Sequence, residues 1–181
     1  MYACRVRCVY LYHQRNSKNC RCSHSSETFP DEKTYSAYIS PQKDADNIRG
    51  DSPYISCTAL AIMEILRSED LAGKHCVILS RSRTIGLPLM ELLIKKNATV
   101  TICHSQTREL DYLLQNADII ISGMGNSGIL ESKKIIPGTI VIDAGIGFKD
   151  NKTIGDLHYY ESKNEISYTT VPGGIGLITR M

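Results

Sequence analysis

The chain has 181 residues, of which 42% are hydrophobic and 22% charged, and its formal net charge is +2. This is the composition of a globular protein with room for one sizeable core. No apolar run reaches the roughly 18 residues that a membrane-spanning helix needs, and we expect neither a nucleic acid nor a membrane as a partner.

The amino-terminal segment differs from the rest of the chain in charge. Residues 1–26 carry five basic side chains and no acidic one, which leaves 16 basic and 19 acidic side chains for the remainder. A basic leader without acids is typical of mitochondrial transit peptides. We expect a cytoplasmic protein, with a mitochondrial location as the alternative.

The seven cysteines fall into two groups. Four lie in the leader, where CRCSH (20–24) lacks the CxxC spacing of a zinc knuckle, so we predict no metal site. The other three, Cys57, Cys76 and Cys103, are scattered, and two of them lie in apolar runs. They are interpreted as reduced thiols of an intracellular protein.

From residue 56 onward, helical and strand-like patterns alternate. Helices are predicted for CTALAIMEILR (57–67), GLPLMELLIKK (86–96) and RELDYLLQ (108–115), and strands for residues 75–79, 98–103, 118–122 and 139–143. The strands are continuously apolar rather than alternating, which indicates a parallel sheet covered on both faces. The fold class is therefore a doubly wound α/β domain that binds ligands at the carboxyl ends of its strands.

The turn after the first strand, SRSRTIG (80–86), has the position of a phosphate-binding loop. A helix start offers free N–H groups and a positive dipole end. Arg81 and Ser82 can add a charge and a hydroxyl, and Gly86 can let a ligand approach the backbone. An ordinary strand-to-helix loop with solvated arginines is an equal alternative on this turn alone.

The second strand favours NADP over NAD as the cofactor. NAD sites usually carry an acid near the end of this strand, which binds the ribose 2′-hydroxyl. Here the segment TICHSQTR (101–108) has no acid before Glu109, and His104 and Ser105 suit a 2′-phosphate. A structural loop histidine is the alternative for His104.

Several motifs occur together in one order. They are PQKDADN (41–47), SCTA (56–59), SRSRTIGLP (80–88), NATVTICHSQT (97–107), ADIIISGMG (117–125), VIDAGIG (141–147), GDL (155–157) and TTVPGGIGLIT (169–179). With them the chain resembles bifunctional methylenetetrahydrofolate dehydrogenase/methenyltetrahydrofolate cyclohydrolase. The resemblance implies a Rossmann-like NADP-binding domain over 68–181 and a remnant of the family's amino-terminal folate and catalytic lobe over 38–67. Residues 1–37 are an unmatched basic, cysteine-rich leader.

The resemblance also implies site residues. The cofactor site carries over to Ser80, Arg81, Ser82, Ser105 and Ile146, with Gly86 and His104 added from the patterns above. The folate-contacting loop carries over to Pro172, Gly173, Gly174, Ile175 and Gly176. Asp46 matches the family's second aspartate of Lys-Asp-Val-Asp-Gly, which faces the pterin. The next position of that motif, a glycine in the family, is Asn47, which tolerates positive φ better than most residues.

One motif of the family is not found. Its Tyr-x-x-x-Lys pair supplies the lysine of the cyclohydrolase step, but no tyrosine upstream of Lys43 is followed four residues later by lysine. The family also continues beyond GLIT into a further helix, so the resemblance implies a chain truncated at both ends. Tyr159 and Lys163 have the spacing, but they lie in a late polar segment and are interpreted as a solvated loop.

Two functions therefore stay open. The first is NADP-dependent methylenetetrahydrofolate dehydrogenase in one-carbon metabolism, acting on tetrahydrofolate derivatives, with the cyclohydrolase activity doubtful. The alternative is a catalytically inactive member that binds a nucleotide or a partner. A homodimer is compatible with both functions.

Overall fold

The computed structural model describes residues 40–44, 46–126, 128–149, 152–159 and 165–179. The helices are α1 (Cys57–Ile65), α2 (Gly86–Ile94), α3 (Leu110–Gln115) and α4 (Ile175–Ile178), with 3-10 turns at Pro41–Lys43, Leu66–Ser68 and Ser132–Lys134. The strands are β1 (His75–Leu79), β2 (Thr99–Cys103), β3 (Ile119–Ser122), β4 (Leu130–Glu131), β5 (Ile140–Asp143), β6 (Gly147–Lys149), β7 (Lys152–Ile154), β8 (Leu157–His158) and β9 (Ser167–Tyr168).

Five of these strands form one sheet in the order β2-β1-β3-β5-β9, and every neighbouring pair is parallel. The register places Val77 of β1 beside Thr101 of β2 and Ile120 of β3. Two small ribbons lie outside this sheet, a parallel pair β4-β8 and an antiparallel hairpin β6-β7. The predicted doubly wound parallel sheet is confirmed.

The sheet is covered on both faces, as its continuous apolar runs predict. Along β1, Cys76 and Ile78 join a core cluster with α1 and α2, whereas Val77 and Leu79 join a second cluster with α3. Successive side chains of a strand point to opposite faces, so each strand needs apolar residues at every position. All four residues from Cys76 to Leu79 are 0% exposed.

The predicted elements agree with the structure to within two residues at most boundaries. The helix predicted from residue 108 begins at Leu110 because Glu109 adopts φ 54°. A turn precedes it, in which the Thr107 N–H donates to the carbonyl of His104. The predicted helix 57–67 ends at Ile65 and continues as a 3-10 turn.

Some predictions concern residues outside the described part of the chain. They are the leader 1–37 with its four cysteines, and Lys163. Helix α1 packs in the same core cluster as the sheet, and the domain boundaries proposed at residues 37 and 67 stay predictions. Within the described residues, no helix combines the length and apolarity required to cross a membrane.

Candidate functional site

The order of the strands reverses between β1 and β3, and we call the carboxyl ends of these two strands the crevice, after the ligand site of such sheets. From β1 the chain crosses to β2 on one side and then returns to β3 on the other. Ligands of such sheets bind where the direction reverses. A Cβ built on Gly123, after β3, would lie 2.8 Å from Cδ1 of Ile85 and 3.7 Å from Cβ of Ser80. The turn after β1 and the end of β3 therefore adjoin.

The two serines of the turn after β1 are hydrogen-bonded to each other. The Ser80 hydroxyl donates to Oγ of Ser82 at 3.1 Å. Oγ of Ser82 also accepts the N–H of Ile85 at 3.0 Å, which closes the turn leading into α2. Ser80 is only 8% exposed. Its side chain therefore supports the turn from inside.

Gly86 is required for a reason that differs from the one predicted. The residue is buried, and a Cβ added to it would collide with the carbonyl oxygen of Ser80. The missing side chain thus lets the start of α2 pack against the end of β1. The close approach of a ligand to the Gly86 backbone stays a prediction.

The two arginines of the turn differ in their surroundings. Arg81 is exposed on the turn, where its guanidinium is available to an anion. Arg83 reaches away from the turn, and its Nη1 donates to the carbonyl oxygen of Arg49. Arg83 therefore connects the turn to the segment that follows Asp46.

The end of β2 lies beside the end of β1, because Leu79 pairs with Cys103. The turn that follows is ordered by its own hydrogen bonds. The backbone N–H of His104 donates to Oγ1 of Thr107 at 2.8 Å, and Nδ1 of His104 accepts the N–H of Gln106 at 3.2 Å. These contacts agree with a structural loop histidine, the alternative that we named, and a contact of His104 with the cofactor stays a prediction. Ser105 is exposed at the same edge.

Asp156 organises the end of β3 from a fully buried position. Its carboxylate is 0% exposed and accepts the Ser122 hydroxyl at 2.6 Å, the Met124 N–H at 2.8 Å and the Asn126 N–H at 2.7 Å. We call residues 123–126 the Met124 loop. A Cβ on Gly145 would collide with the Asp156 carboxylate, so the segment after β5 packs directly on this group.

Asp143, the last residue of β5, is the second buried carboxylate and is 3% exposed. It accepts the N–H of Gly145 at 2.9 Å and the N–H of Leu157 at 2.8 Å. Burial raises the pKa of Asp143, hydrogen bonds from backbone N–H groups oppose that rise, and the charge of Asp156 adds to it. We call residues 144–146 the Ile146 loop, in which the Ile146 side chain is 64% exposed.

Sequence reasoning missed Asp143 and Asp156 as a pair. Both stand in recognised motifs, VIDAGIG and GDL, yet neither motif shows that the two carboxylates are buried near each other. The available signal is Asp143 itself, an acid that directly follows three apolar strand residues. An acid at the end of such a buried run must be hydrogen-bonded.

The predicted folate loop follows β9. The Val171–Pro172 peptide bond is cis, and Gly173 has φ +105°. A Cβ on Gly174 would lie 2.5 Å from the carbonyl oxygen of Thr170, whereas one on Gly176 would meet nothing within 4 Å. The Ile175 side chain is 6% exposed and packs in the core. The loop is thus tightly turned, and its contact with a substrate stays a prediction.

Asp46, the predicted catalytic aspartate, contacts the start of α1. Its Oδ1 accepts the N–H of Cys57 at 3.0 Å. Burial, then a hydrogen bond with Asp46 and its charge, raise the pKa of the Cys57 thiol to about 11. Asn47 adopts φ 52°, the conformation expected of the residue that replaces glycine in this motif.

Two other features involve residues that were not predicted for the site. Tyr159 stacks on Tyr168 with ring centroids 4.8 Å apart, and its suggested partner Lys163 is outside the described residues.

A cavity of about 520 Å³ lies between residues 47–55 and α2, with Arg83, Glu91 and Lys95 in its wall. None of the predicted cofactor residues lines this cavity.

Fold and site together define a nucleotide-binding α/β protein whose crevice lies at the ends of parallel strands. The family described as Tetrahydrofolate dehydrogenase/cyclohydrolase, NAD(P)-binding domain, matches residues 56–181. The chain belongs to this family.

Relatives agree with this assignment. The chain is 39% identical over 161 residues to the bifunctional protein FolD of Clostridium tetani, and 42% identical over 154 residues to that of a Janthinobacterium strain. These matches cover 82% and 78% of the chain but only 58% and 54% of the relatives. The chain thus spans little more than half the length of these proteins.

Solved structures show the same likeness. The bifunctional enzyme FolD, a methylenetetrahydrofolate dehydrogenase/cyclohydrolase from Campylobacter jejuni, superposes with a TM-score of 0.74 at 33% identity, over 85% of this chain and 61% of that one. The Trypanosoma brucei N5,N10-methylenetetrahydrofolate dehydrogenase-cyclohydrolase, complexed with NADP cofactor and inhibitor, gives a TM-score of 0.71 at 32% identity, over 84% and 61% of the two chains.

Proposed function

We propose that the chain binds NADP in the crevice after β1 and β3 and oxidises 5,10-methylenetetrahydrofolate. The observation that carries this proposal is the turn at 80–86, in which paired serines and a buried glycine bring the start of α2 against the sheet beside the exposed Arg81. Family membership supports the dinucleotide, and the NADP-bound Trypanosoma brucei relative supports the phosphorylated form.

The residues of the crevice fit such a cofactor. Helix α2 directs the positive end of its dipole toward the turn, which favours a pyrophosphate. Arg81 and the turn at His104–Ser105 present a cation and neutral donors toward a 2′-phosphate. The first acid after β2 is Glu109, whose side chain belongs to the next helix start. No carboxylate in segment 104–108 opposes a phosphate.

The division of chemical work follows from this arrangement. Hydride acceptance is the chemistry that the nicotinamide supplies when it is bound. The protein has to place the reacting groups together and exclude water. We assign cofactor placement to the Ile146 loop and substrate placement to residues 172–176, with Asp46 assigned to the pterin.

Binding and turnover test the proposal separately. NADP and NAD are titrated into the chain, and NADPH formation is then followed with methylenetetrahydrofolate. We expect NADP to bind more tightly than NAD and a weak but cofactor-dependent formation of NADPH. Absence of NADP binding would remove the whole proposal.

A second candidate function is nucleotide binding without turnover. It is favoured by the surroundings of Asp46, whose carboxylate already accepts a hydrogen bond from the start of α1. Under this alternative, NADP binds with its 2′-phosphate preference but no NADPH forms with the folate substrate.

We also propose a cytoplasmic location and a homodimer as the working assembly. Light scattering measures the mass directly, and cell fractionation tests the location. A mass of one 20.2 kDa chain at assay concentration would contradict the dimer.

A further inference from the structure

The end of β3 and the end of β5 are held by two buried carboxylates that no step of the proposed chemistry uses. Asp156 receives three hydrogen bonds from residues 122–126, and Asp143 receives one from each of residues 145 and 157. Burying a carboxylate costs free energy of folding unless the group is hydrogen-bonded. Acids that served only solubility would lie on the surface. Their burial at this particular edge therefore needs a local explanation.

The backbone packs directly against both carboxylates. A side chain on Gly145 would collide with Asp156, and one on Gly155 would collide with Asp143. Each glycine thus lets the backbone close over the opposite carboxylate. The backbone N–H of Asp143 also donates to Oγ1 of Thr169 at 2.8 Å, which ties the pair to the residue that follows β9.

The loops that the pair fixes are the loops that face the crevice. The Met124 loop follows β3, and the Ile146 loop follows β5. The loops touch each other, because a Cβ on Gly125 would lie 3.3 Å from the carbonyl oxygen of Ile146. Two exposed apolar side chains, Met124 at 36% and Ile146 at 64%, project from this surface.

We propose that Asp143 and Asp156 are positioning residues for the cofactor, because they hold the Met124 loop and the Ile146 loop in the geometry that receives it. The inference rests on the proposed function. It extends that function by assigning the shape of the cofactor wall to buried side chains that do not touch the ligand. Backbone N–H groups directed at fixed carboxylates cannot shift without losing charge-assisted hydrogen bonds.

The test compares Asp156→Asn with Asp118→Asn. Asp118 serves as the control, because its carboxylate also accepts a backbone N–H, that of His75 at 2.8 Å, but at the amino end of β3 and away from the crevice. Asn at 156 offers only one acceptor oxygen, so the Met124 or Asn126 N–H loses its partner. We expect faster amide exchange at the one of these two residues that loses its partner, and an NADP affinity lower by about tenfold or more.

The control separates positioning from general stability. Asp118→Asn keeps an acceptor oxygen for the His75 N–H and removes the charge that faces Lys74. It is expected to leave NADP affinity within about twofold, even if its melting temperature falls. Unchanged NADP affinity in a folded Asp156→Asn protein, or an equal loss in Asp118→Asn, would overturn the inference.

A milder variant covers the case in which Asp156→Asn does not fold. Ser122→Ala removes one buried donor to Asp156 and keeps both carboxylates. It should lower NADP affinity by about two- to fivefold, and an unchanged affinity overturns the inference. If wild type binds no NADP, the proposed function is wrong, and the exchange rates alone decide whether the pair holds the loops.

Discussion

Arg81 is the side chain to which we assign the cofactor preference. It is exposed on the turn after β1, and one charge-assisted contact contributes about 1.5–3 kcal/mol, or roughly 10- to 150-fold in affinity. We expect Arg81→Ala to lose most of the preference for NADP over NAD. Titration of both cofactors measures the preference. Arg83→Ala is the control, because it removes a cation of the same turn that donates to the carbonyl oxygen of Arg49. A preserved preference in Arg81→Ala contradicts the assignment.

Asp143 gives the protein a pH dependence of defined sign. Burial raises its pKa above the ordinary value of 3.8, so the folded chain holds this proton more tightly than the unfolded chain. The contribution of Asp143 to stability is therefore complete below the unfolded pKa and is lost as the pH rises through the folded pKa. We expect wild type to gain stability relative to Asp143→Asn as the pH falls from about 7 to about 4. Denaturant unfolding of both proteins measures this difference, and a constant or shrinking difference would contradict the sign.

Asp46 can be examined through its neighbour Cys57. Burial contributes most to the thiol pKa of about 11, and Asp46 contributes next. We expect Asp46→Asn to lower this pKa and speed alkylation of Cys57, since the charge is removed while an acceptor oxygen for the Cys57 N–H remains. Asp46→Ala should do the same and also cost about 1 kcal/mol of stability, as other losses at helix starts do. Mass spectrometry of labelled peptides resolves Cys57 from Cys103, and an unchanged rate at Cys57 means that burial alone protects it.

At the scale of elements, the contact between β1 and α2 depends on one missing side chain. A Cβ on Gly86 would collide with the carbonyl oxygen of Ser80 and lie 2.7 Å from its carbonyl carbon. We expect Gly86→Ala to cost about 1–3 kcal/mol, because the start of α2 must move away from the sheet. Gly176→Ala is the control, since its Cβ would meet nothing within 4 Å and alanine favours a helix. Equal unfolding midpoints for the two variants would contradict this account.

The elements that sequence could predict are those whose burial leaves a pattern. Strands β1, β3 and β5 are apolar at successive positions because helices cover both faces of the sheet. Strands β8 and β9 have two residues each, and no periodicity can be recognised over two residues. The hairpin β6-β7 is mostly exposed or half-buried, so burial imposes no pattern on it either.

The same distinction applies to the candidate site. The serines and Arg81 were predictable, because a turn between a buried strand and a helix lies at the ligand edge of a parallel sheet. The hydrogen bond between Ser122 and Asp156 spans 34 positions, and local sequence carries no sign of such a pairing. The collision that makes Gly86 necessary likewise depends on the position of Ser80 in space.

At the scale of the whole molecule, the parallel sheet places the carboxyl ends of its five strands at one edge. The ends of β1, β2, β3 and β5 contribute Ser80, His104, Gly123 and the Ile146 loop in turn. The cofactor crevice is thus built from segments that the sheet itself aligns. The hydride step that we propose would use that edge together with residues 172–176, which follow β9.

This arrangement predicts a separation of the two family activities in the 181-residue chain assayed alone. The hydrolytic step needs a positioned acid–base group, and the family's Tyr-x-x-x-Lys lysine has no counterpart upstream of Lys43. General acid–base assistance typically contributes about 10²–10⁴-fold, so hydrolysis of methenyltetrahydrofolate should stay near its uncatalysed rate. NADPH formation from methylenetetrahydrofolate should be weak but measurable, and it should fall with Arg81→Ala. Hydrolysis well above background would falsify the separation, and Lys43, exposed at the end of its 3-10 turn, would then be the first residue to substitute.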